Sequence, residues 1–581
     1  MTGITPAELD ALYTAAVQQH AEASALSPAG VLQDEPTTPD EDTIAFSEEA
    51  QSLADAYESG TVENSAAVSG PVAVDADRQF GSLESVGEAS TKSGRRITVN
   101  AYTALEENGS ETSGYMMVVS GLEGEEEQRY LLNGDTIANE DENGNLQVRA
   151  YTQTSDTSGD DIIIAVGSKA NVNSGAGDDT VIIAAQTAAE VNIDTGDGDD
   201  QIKAAGELHS GTITTGGGDD AISAKRIATQ LSGGQALDID TGDGDDAIDA
   251  EWVATGGAGD SQVNISTGNG NDRINAELFG SDNDGDSKVN LSMGSGDDTI
   301  TTSWKMGSSN YGNAQVDIST GDGDDNVASY DIGTHNYGRS QVNFSTGSGD
   351  DKIANSTGIG ASNYGNAQIN VSTGDGDDKV SSGWIGLENY GKAQVNVSTG
   401  SGDDKVSSTW MGSFNYGSSQ SNISTGGGDD RVTSYGVASG NYGRSRSNVE
   451  TGDGDDTISA DALGSFLAGN AKVVSMGDGN DLVRTQLLGA ASHDDSQLDV
   501  DMGDGDDSLY ADAVGVFLEG RAQVNVSGGA GDNVIAVESV AVGSSDTSQL
   551  HIQTWTPHRE SATASGASAL ANKEGGVDIE I

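Results

Sequence analysis

The sequence has no cysteine, so disulfides and thiolate metal sites are excluded as sources of stability. Aromatic residues make up only 5% of the chain and 81 of its 581 residues are glycine, which leaves no large conventional core. Basic residues are also scarce, because 26 Lys and Arg face 94 Asp and Glu and give a formal net charge of −68. Phosphate backbones and anionic membrane surfaces would repel such a chain, so we expect no nucleic-acid binding.

Long hydrophobic runs are missing as well. No stretch approaches the roughly 18 consecutive apolar residues that a membrane helix needs, so we expect no membrane span. The N-terminal segment MTGITPAELDALYTAA lacks the basic and apolar regions of a cleaved signal peptide. If the protein is exported, the sequence predicts another export route.

The sequence does contain one recurring motif rich in glycine and aspartate. The pattern G-x-G-(D/N)-(D/N)-x-x, with an aliphatic last residue, occurs fifteen times, and after two steps of 21 and 20 residues every step is 25 to 27 residues. The segment TSGDDII at 157–163 resembles a decayed further copy that opens the array. A fixed period of this size is typical of a solenoid, in which each coil buries its apolar face only by stacking on its neighbours. The first glycines of the copies are Gly175, Gly196, Gly216, Gly242, Gly268, Gly294, Gly321, Gly347, Gly374, Gly400, Gly426, Gly452, Gly477, Gly503 and Gly529.

One repeat, NYGKAQVNVSTGSGDDKVSSTWMGSF, indicates strand, turn and strand. Apolar residues alternate in QVNVS and again in KVSS, which is the period of a half-buried strand. The two glycines of the motif suit positive φ and a close backbone approach that a side chain would block. The sequence therefore predicts an all-β fold, a parallel β-helix or β-roll-like solenoid of about 15 to 16 stacked coils.

Composition changes along the chain predict four regions. Residues 1–60 contain two helix-like pieces around the acidic linker QDEPTTPDED and are expected to be partly disordered. Residues 61–156 contain alternating segments that predict antiparallel hairpins in a small β domain capping the first coil. Residues 157–545 form the solenoid, and residues 546–581 form a C-terminal cap and tail with a possible uncleaved secretion signal.

The paired acidic residues of the motif raise an electrostatic problem. Stacked coils place equivalent side chains about 4.8 Å apart, where unit charges repel by about 3 to 4 kcal/mol at an effective dielectric near 20. The fourth place of the motif holds 13 aspartates and the fifth holds 14, with asparagine at Asn271, Asn480 and Asn533. The fifth place is the stricter one and the better candidate for a required charge. Calcium meets the requirement, since it takes about six to eight oxygen ligands from carboxylates and backbone carbonyls.

Read as T-G-D-G-D-D-T-I-S at 451–459, the motif resembles the G-G-x-G-x-D-x-U-x nonapeptide of RTX, or hemolysin-type, calcium-binding repeats. The resemblance implies Ca²⁺ as a ligand, up to about fourteen ions along one edge, and inward anchors such as Val380, Val406 and Ile458. Two features depart from the family: the first glycine is usually Thr or Ser here, and each coil carries one nonapeptide in about 26 residues instead of two in about eighteen. The calcium ligands that the resemblance implies are Asp179, Asp200, Asp220, Asp246, Asp272, Asp298, Asp325, Asp351, Asp378, Asp404, Asp430, Asp456, Asp481 and Asp507.

Three further columns of residues recur between the motifs. The N-Y-G tyrosines predict an aromatic ladder at the opposite edge, with a glycan-binding or self-association strip as the alternative, and the same two interpretations apply to four tryptophans. The glutamines of the Q-V-N segments predict an amide ladder, although a flat polar face of this kind would also suit a lattice such as ice or a crystalline polymer. These residues are Tyr311, Tyr337, Tyr364, Tyr390, Tyr416 and Tyr442; Trp252, Trp304, Trp384 and Trp410; and Gln315, Gln341, Gln368 and Gln394.

Fifteen equivalent acidic pairs argue against an enzyme, because catalysis needs one differentiated site. The six histidines are scattered without ligand spacing, and the chain has no H-E-x-x-H or G-x-S-x-G motif. The leading hypothesis is an extracellular structural or adhesive protein, a calcium-rigidified rod of a surface layer, filament or matrix. The RTX resemblance implies type I secretion for it, and self-association or a cell-surface glycan are its expected partners. The alternative is an accessory calcium-binding module of a secreted polysaccharide-acting enzyme or toxin system.

Overall fold

A computed structural model gives the structure of the chain. It describes residues 70–580 apart from 75–79, 81, 106–110, 123–125, 142, 154–156, 470–473, 494, 541–547, 556–561 and 565–576. The helices and linker predicted for residues 1–60 lie outside the described residues. Within the ranges that are described, all regular structure is β-strand, and no helix is long and apolar enough to cross a membrane.

Two long parallel sheets run the length of the array, and each repeat gives one strand to each sheet. Sheet I contains the strands that follow the glycine turns, and sheet II contains the strands that precede them. Sheet I consists of Asp161–Val166, Thr180–Ala184, Thr187–Ala188, Gln201–Leu208, Ala221–Ile227, Ala247–Val253, Arg273–Phe279, Thr299–Met306, Asn326–Ile332, Lys352–Ile359, Lys379–Ile385, Lys405–Met411, Arg431–Val437, Thr457–Leu463, Leu482–Leu488, Ser508–Val514, Val534–Val540 and Ala562–Ala564. Sheet II consists of Lys169–Asn173, Glu190–Asp194, Gly211–Thr214, Ala236–Asp240, Gln262–Asn269, Lys288–Ser295, Gln315–Asp322, Gln341–Ser348, Gln368–Asp375, Gln394–Ser401, Gln420–Gly427, Arg446–Asp453, Val474–Asp478, Gln497–Asp501, Gln523–Ala530, Gln549–Trp555 and Val577–Glu580.

The core lies between the two sheets and continues from coil to coil. Alternate residues of each strand point inward, so identical aliphatic residues stack: Val380 pairs with Val406 and Val406 with Val432, and all three are fully buried. Burying one such side chain contributes about 1.5 to 3 kcal/mol. Because every coil needs its neighbours to cover these residues, the prediction of an all-β stacked solenoid is confirmed, with about 26 residues per turn.

The glycine turns follow the predicted geometry. Both glycines of the motif have positive φ in all fifteen copies, for example 106° at Gly400 and 131° at Gly402. A Cβ added to Gly402 would lie 2.0 Å from the carbonyl oxygen of Gly376 in the preceding coil. Only glycine fits there, because the backbones of successive turns are in direct contact.

Antiparallel strands cover the N-terminal end of the solenoid. A five-stranded sheet packs Ile97, Val99 and Met117 against Ile164 and Ile182 on the outer face of sheet I. A hairpin then pairs antiparallel with the first strand of sheet I and so covers the edge that the first coil would otherwise expose. The five-stranded sheet is ordered Val72–Val74, Gln128–Leu132, Glu111–Ser120, Arg96–Leu105 and Ser82–Ser90, and the hairpin consists of Thr136–Glu140 and Leu146–Ala150.

The stacking continues beyond the last glycine motif. Gln549–Trp555 pairs in parallel with Gln523–Ala530, and Val577–Glu580 pairs with Gln549–Trp555. A short extra pair, Tyr442–Gly443 with Ala468–Gly469, lies in the loops of the opposite edge. The parallel strand pairing therefore extends beyond the last copy of the turn motif.

Candidate functional site: the aspartate columns of the glycine edge

The fifteen glycine turns stack along one side of the solenoid, here called the glycine edge. Their fourth-place side chains point to solvent, whereas the fifth-place side chains point inward. All fourteen aspartates predicted as ligands lie in this single buried column, each with at most 1% of its surface exposed. The structure therefore brings the predicted site residues together, one per coil.

Each fifth-place carboxylate accepts a hydrogen bond from the coil before it. The backbone N–H of Asp378 donates to Oδ1 of Asp404, and that of Asp404 donates to Oδ1 of Asp430, both at 2.8 Å. The same contact recurs along the column at 2.7 to 2.9 Å. At the last copy the acceptor is the amide oxygen of Asn533, so the bond needs an Oδ1 but no charge.

The exposed fourth-place residues form a second ladder that runs in the opposite direction. The N–H of Asp403 donates backward to Oδ1 of Asp377, and the N–H of Asp429 donates to Asp403, both at 2.8 Å. Asn271 accepts the equivalent bond from Asp297. Sequence reasoning missed both ladders, although the restriction of these places to Asp and Asn, the short side chains with an Oδ acceptor, is the signal that indicates them.

The second oxygen of each buried carboxylate has no partner. Oδ2 is buried without a hydrogen bond in all fourteen fifth-place aspartates. The nearest column of donors is the threonine that precedes the motif, but Thr399 already donates its hydroxyl to the carbonyl of Thr425 at 3.1 Å, and its equivalents do the same. This threonine ladder gives the threonine before the motif a structural role of its own. It also leaves a continuous column of unsatisfied anionic oxygens inside the edge.

Burial raises the pKa of every one of these carboxyls. Desolvation is the largest cause at Asp351 and Asp404, whose pKa rises to about 7, and the neighbouring carboxylates of the column raise it further. The backbone N–H donors and nearby threonines act in the opposite direction but do not offset the burial. Near neutral pH the column is therefore poised to take up protons or a cation.

The side chains of the column fit a hard cation only in part. Among the described residues, no group of three or more His, Cys, Asp or Glu side chains is close enough together to hold a metal ion. A cation in the column would be held by carboxylates of adjacent coils and would take its other ligands from hydroxyl or backbone oxygens. The unpartnered Oδ2 atoms are the right donors for calcium, which binds oxygen ligands from both sources.

The opposite side of the solenoid, the tyrosine edge, carries two neutral columns. In the buried column the backbone N–H of Asn363 donates to Oδ1 of Asn389, and that of Asn389 to Asn415, both at 2.9 Å. Beside it the six predicted tyrosines stack with ring centroids 4.9 to 5.0 Å apart and planes within 4° of parallel, so the aromatic ladder is confirmed. Because each ring face covers the next, only the ring edges are open to a ligand along the column.

Two other predicted columns differ in the structure. The amide ladder expected for the glutamines lies instead on the asparagines two residues further on: Asn370 Nδ2 donates to Asn343 at 2.7 Å, whereas Gln368 Nε2 and Gln394 Oε1 are 3.4 Å apart. The tryptophans form no continuous stack among the described residues, since Trp410 is buried while Trp304 is 43% exposed. Other residues occupy the coils between Trp252, Trp304 and Trp384, and only Trp384 and Trp410 lie opposite each other in adjacent strands.

Comparisons with known proteins place these features in no established family. The chain matches no protein-family description, no curated protein and no solved structure.

Proposed function

We propose that this protein is a calcium-stabilised rod that acts outside the cell as a structural or adhesive element of a surface layer, filament or matrix. The observation that carries the proposal is the fifth-place column, fourteen buried carboxylates with one unpartnered oxygen each. A buried carboxylate without compensation costs several kcal/mol, so the charge must be removed by a proton or balanced by a cation. Calcium suits oxygen donors supplied by a stacked, glycine-rich turn.

The resemblance of the motif to RTX repeats supports the same ion and the same aspartates as its ligands. Up to about fourteen Ca²⁺ ions would bring the formal charge from −68 to about −40, with the change concentrated along the glycine edge. An ion that binds only the folded coils stabilises them by about 2.7 kcal/mol per site at a hundredfold excess over Kd. The chain would then stay unfolded where calcium is scarce and fold where it is abundant, which fits secretion through a type I apparatus.

The repetition itself supports a structural role. Every coil presents the same groups at the same spacing, which gives a long uniform rod and no differentiated catalytic centre. We therefore propose no enzymatic activity.

Circular dichroism with chelator and with calcium tests the proposal. We expect β-structure with calcium, its loss in EDTA, and about fourteen bound ions by calorimetric titration. Asp404→Ala should weaken calcium binding more than the neighbouring exposed Asp403→Ala, because only the former removes a proposed ligand. An unchanged spectrum in EDTA together with fewer than two bound ions would refute a calcium-stabilised rod.

A further inference from the structure

The outer face of sheet II contains a long shallow trough that the aspartate columns do not explain. It has a volume of about 600 Å³ and extends over seven successive strands, from Ala236–Asp240 to Gln394–Ser401. Its floor is the strand backbone over the buried side chains of Ile318, Phe344 and Val371. One wall is an amide column that contains Asn264, Asn290, Asp317, Asn343, Asn370 and Asn396.

Hydrogen bonds within the amide column fix its orientation. Asn370 Nδ2 donates to Asn343 Oδ1 and Asn396 Nδ2 donates to Asn370 Oδ1, both at 2.7 Å. A carboxamide has two N–H donors and two lone pairs on its oxygen, so this ladder uses one of each. Asn370 and Asn396 each keep one donor and one acceptor for a ligand. The Oδ1 atoms of Asn343 and Asn264 are already filled, because each accepts a second bond from a glutamine of its own strand.

The second wall is a column of serines, two residues further along each strand. Ser345, Ser372 and Ser398 are half-buried, and their hydroxyls make no hydrogen bond with any described residue. Each of these coils thus adds one unused hydroxyl beside the free amide donor. The set repeats at the spacing of the coils, which the tyrosine rings show to be 4.9 Å.

The chemistry of the trough selects its ligand. Its side-chain walls are amides and hydroxyls with Asp317 as the one carboxylate of the amide wall, and the chain as a whole carries −68 charges. Anionic polymers are therefore repelled. The walls hold no apolar side chain for a lipid or peptide anchor, although most of the surface exposed in the trough is the carbon of its amide, serine and backbone groups. A concave face does not fit flush against a second copy of itself, whereas it accommodates a single extended chain.

We propose that this trough binds a neutral, linear polysaccharide laid along the solenoid axis, with its hydroxyls paired to the free groups of the amide and serine columns. Preorganised donors and acceptors lower the cost of ordering such a ligand. The inference names a partner for the rod of the proposed function. It rests on the stacked coils and not on bound calcium, so the two can fail separately.

The test is isothermal titration of the full chain, in calcium buffer and with its fold verified by circular dichroism. The probes are cellohexaose and mannohexaose, which are neutral and β-1,4-linked, and hexagalacturonate as the anionic counterpart. We expect at least one neutral hexasaccharide to bind and the anionic one to bind at least tenfold more weakly. The double variant Ser345→Gln/Ser372→Gln fills the trough without changing charge and should lower the affinity at least tenfold.

The matched control is Ser381→Gln/Ser407→Gln, which makes the same changes at half-buried serines on the outer face of sheet I. This control should bind as the unaltered chain does. Absence of binding to both neutral probes, equal binding of hexagalacturonate, or equal affinity of the trough variant would overturn the inference. Ice-growth inhibition or dimerisation that is lost in the trough variant, without oligosaccharide binding, would assign the face to another partner and overturn it as well.

Discussion

Both edges of the solenoid contain a buried column that accepts backbone hydrogen bonds from the neighbouring coil, but one column is aspartate and the other is asparagine. Asp404 and Asn389 are each at most 1% exposed, and each accepts an N–H from the preceding coil at Oδ1, at 2.8 and 2.9 Å. The two side chains have nearly the same shape. The difference between the edges is therefore the charge, which the stacking bond does not require.

The comparison shows what the aspartates add to the fold. Asn533 accepts the fifth-place bond from Asp507 at 2.8 Å, so the glycine edge itself can use an amide. An asparagine in every copy would satisfy the ladder and avoid the repulsion between stacked charges. If stacking were their only role, fourteen carboxylates at this place would destabilise the coils. We propose that a bound cation compensates for their charge.

The largest effect is expected when the central aspartates of the glycine edge are replaced by asparagine, the residue that forms the buried column of the tyrosine edge. Replacing Asp325, Asp351, Asp378, Asp404, Asp430 and Asp456 by Asn keeps the ladder and removes six buried charges. We expect about six fewer calcium ions per chain by atomic emission spectroscopy and a more stable fold in EDTA by thermal denaturation. Six substitutions to Asn at the fourth place of the same coils are the control and should leave the ion count nearly unchanged. The same loss of calcium in both variants would contradict the assignment of ligands to the fifth place.

The pH dependence of the calcium-free chain should also separate the edges. Burial raises the pKa of Asp404 and Asp351 to about 7, above the value of about 3.9 for an unfolded aspartate, so the folded chain holds more protons between these values. Stability is therefore present below about pH 4 and is lost progressively as the pH rises to 7 and beyond. Circular dichroism in EDTA should therefore show more β-structure at pH 5, where the buried carboxyls are largely protonated, than at pH 8, where the uncompensated charges unfold the coils. The variant with six asparagines should show a flatter profile, and an equally steep one would show that the buried column is not the source.

The glycines of the two edges differ in the space around them. A Cβ on Gly402 would lie 2.0 Å from a backbone oxygen, at a φ of 131°. We expect Gly402→Ala to destabilise the fold by roughly 2 to 6 kcal/mol, since overpacking and an unfavourable φ each cost about 1 to 3 kcal/mol. Gly233→Ala, in a loop of the opposite edge without positive φ and with no atom within 4 Å of the added Cβ, is the comparison and should cost less. Equal urea midpoints for the two variants would contradict this, because they would mean that adjacent glycine turns can move apart at little cost.

Introducing charge at the neutral edge is the reverse experiment. Asn389→Asp keeps the Oδ1 acceptor for Asn363 but places a carboxylate where the column is otherwise uncharged. We expect a loss of about 3 to 5 kcal/mol at pH 8, the cost of an uncompensated buried charge, and a smaller loss at pH 4, where the carboxyl is protonated. Calcium should not restore the stability at pH 8. Full rescue by calcium would mean that any stacked acidic column binds the ion.

The sequence was sufficient for the repeat, the strands and the glycine turns because these depend on local pattern. The alternation in QVNVS places Val395 and Val397 inward, and two glycines per copy indicate positive φ. The side-chain ladders were not predictable in the same way. They depend on the direction in which Asp403 and Asp404 turn relative to neighbouring coils, and two adjacent aspartates with opposite directions look identical in the sequence.

The sequence periodicity predicted side-chain contacts least well where a side chain bonds to, or packs against, a residue of another coil. Gln368 and Asn370 are both outward amides of one strand, and only the register and side-chain length decide that the shorter one forms the ladder. The strand of the exposed Trp304 has a register shift between Thr301 and Lys305, and Trp410 is buried against Phe414 and Tyr435, neither of which the periodicity reveals. Strand pairing beyond residue 545 was missed because the turn motif was used to define the array.

The smallest effect is expected at the tyrosine edge, where most coils have a non-glycine residue with positive φ. Ser362 is an example, with φ 54° in the residue before Asn363, and its backbone N–H donates to the carbonyl of Leu387. A left-handed conformation costs an ordinary residue about 1 to 2 kcal/mol, whereas glycine adopts it freely but loses about 0.5 to 1 kcal/mol more entropy on folding. Ser362→Gly should therefore stabilise the chain by less than about 1 kcal/mol, measured by urea denaturation in calcium. The same change in an extended strand, Ser372→Gly, should destabilise it, because there the entropy cost has nothing to offset it. A loss of stability at both serines would show that this edge holds its left-handed residue without strain, and the two edges would then differ in charge alone.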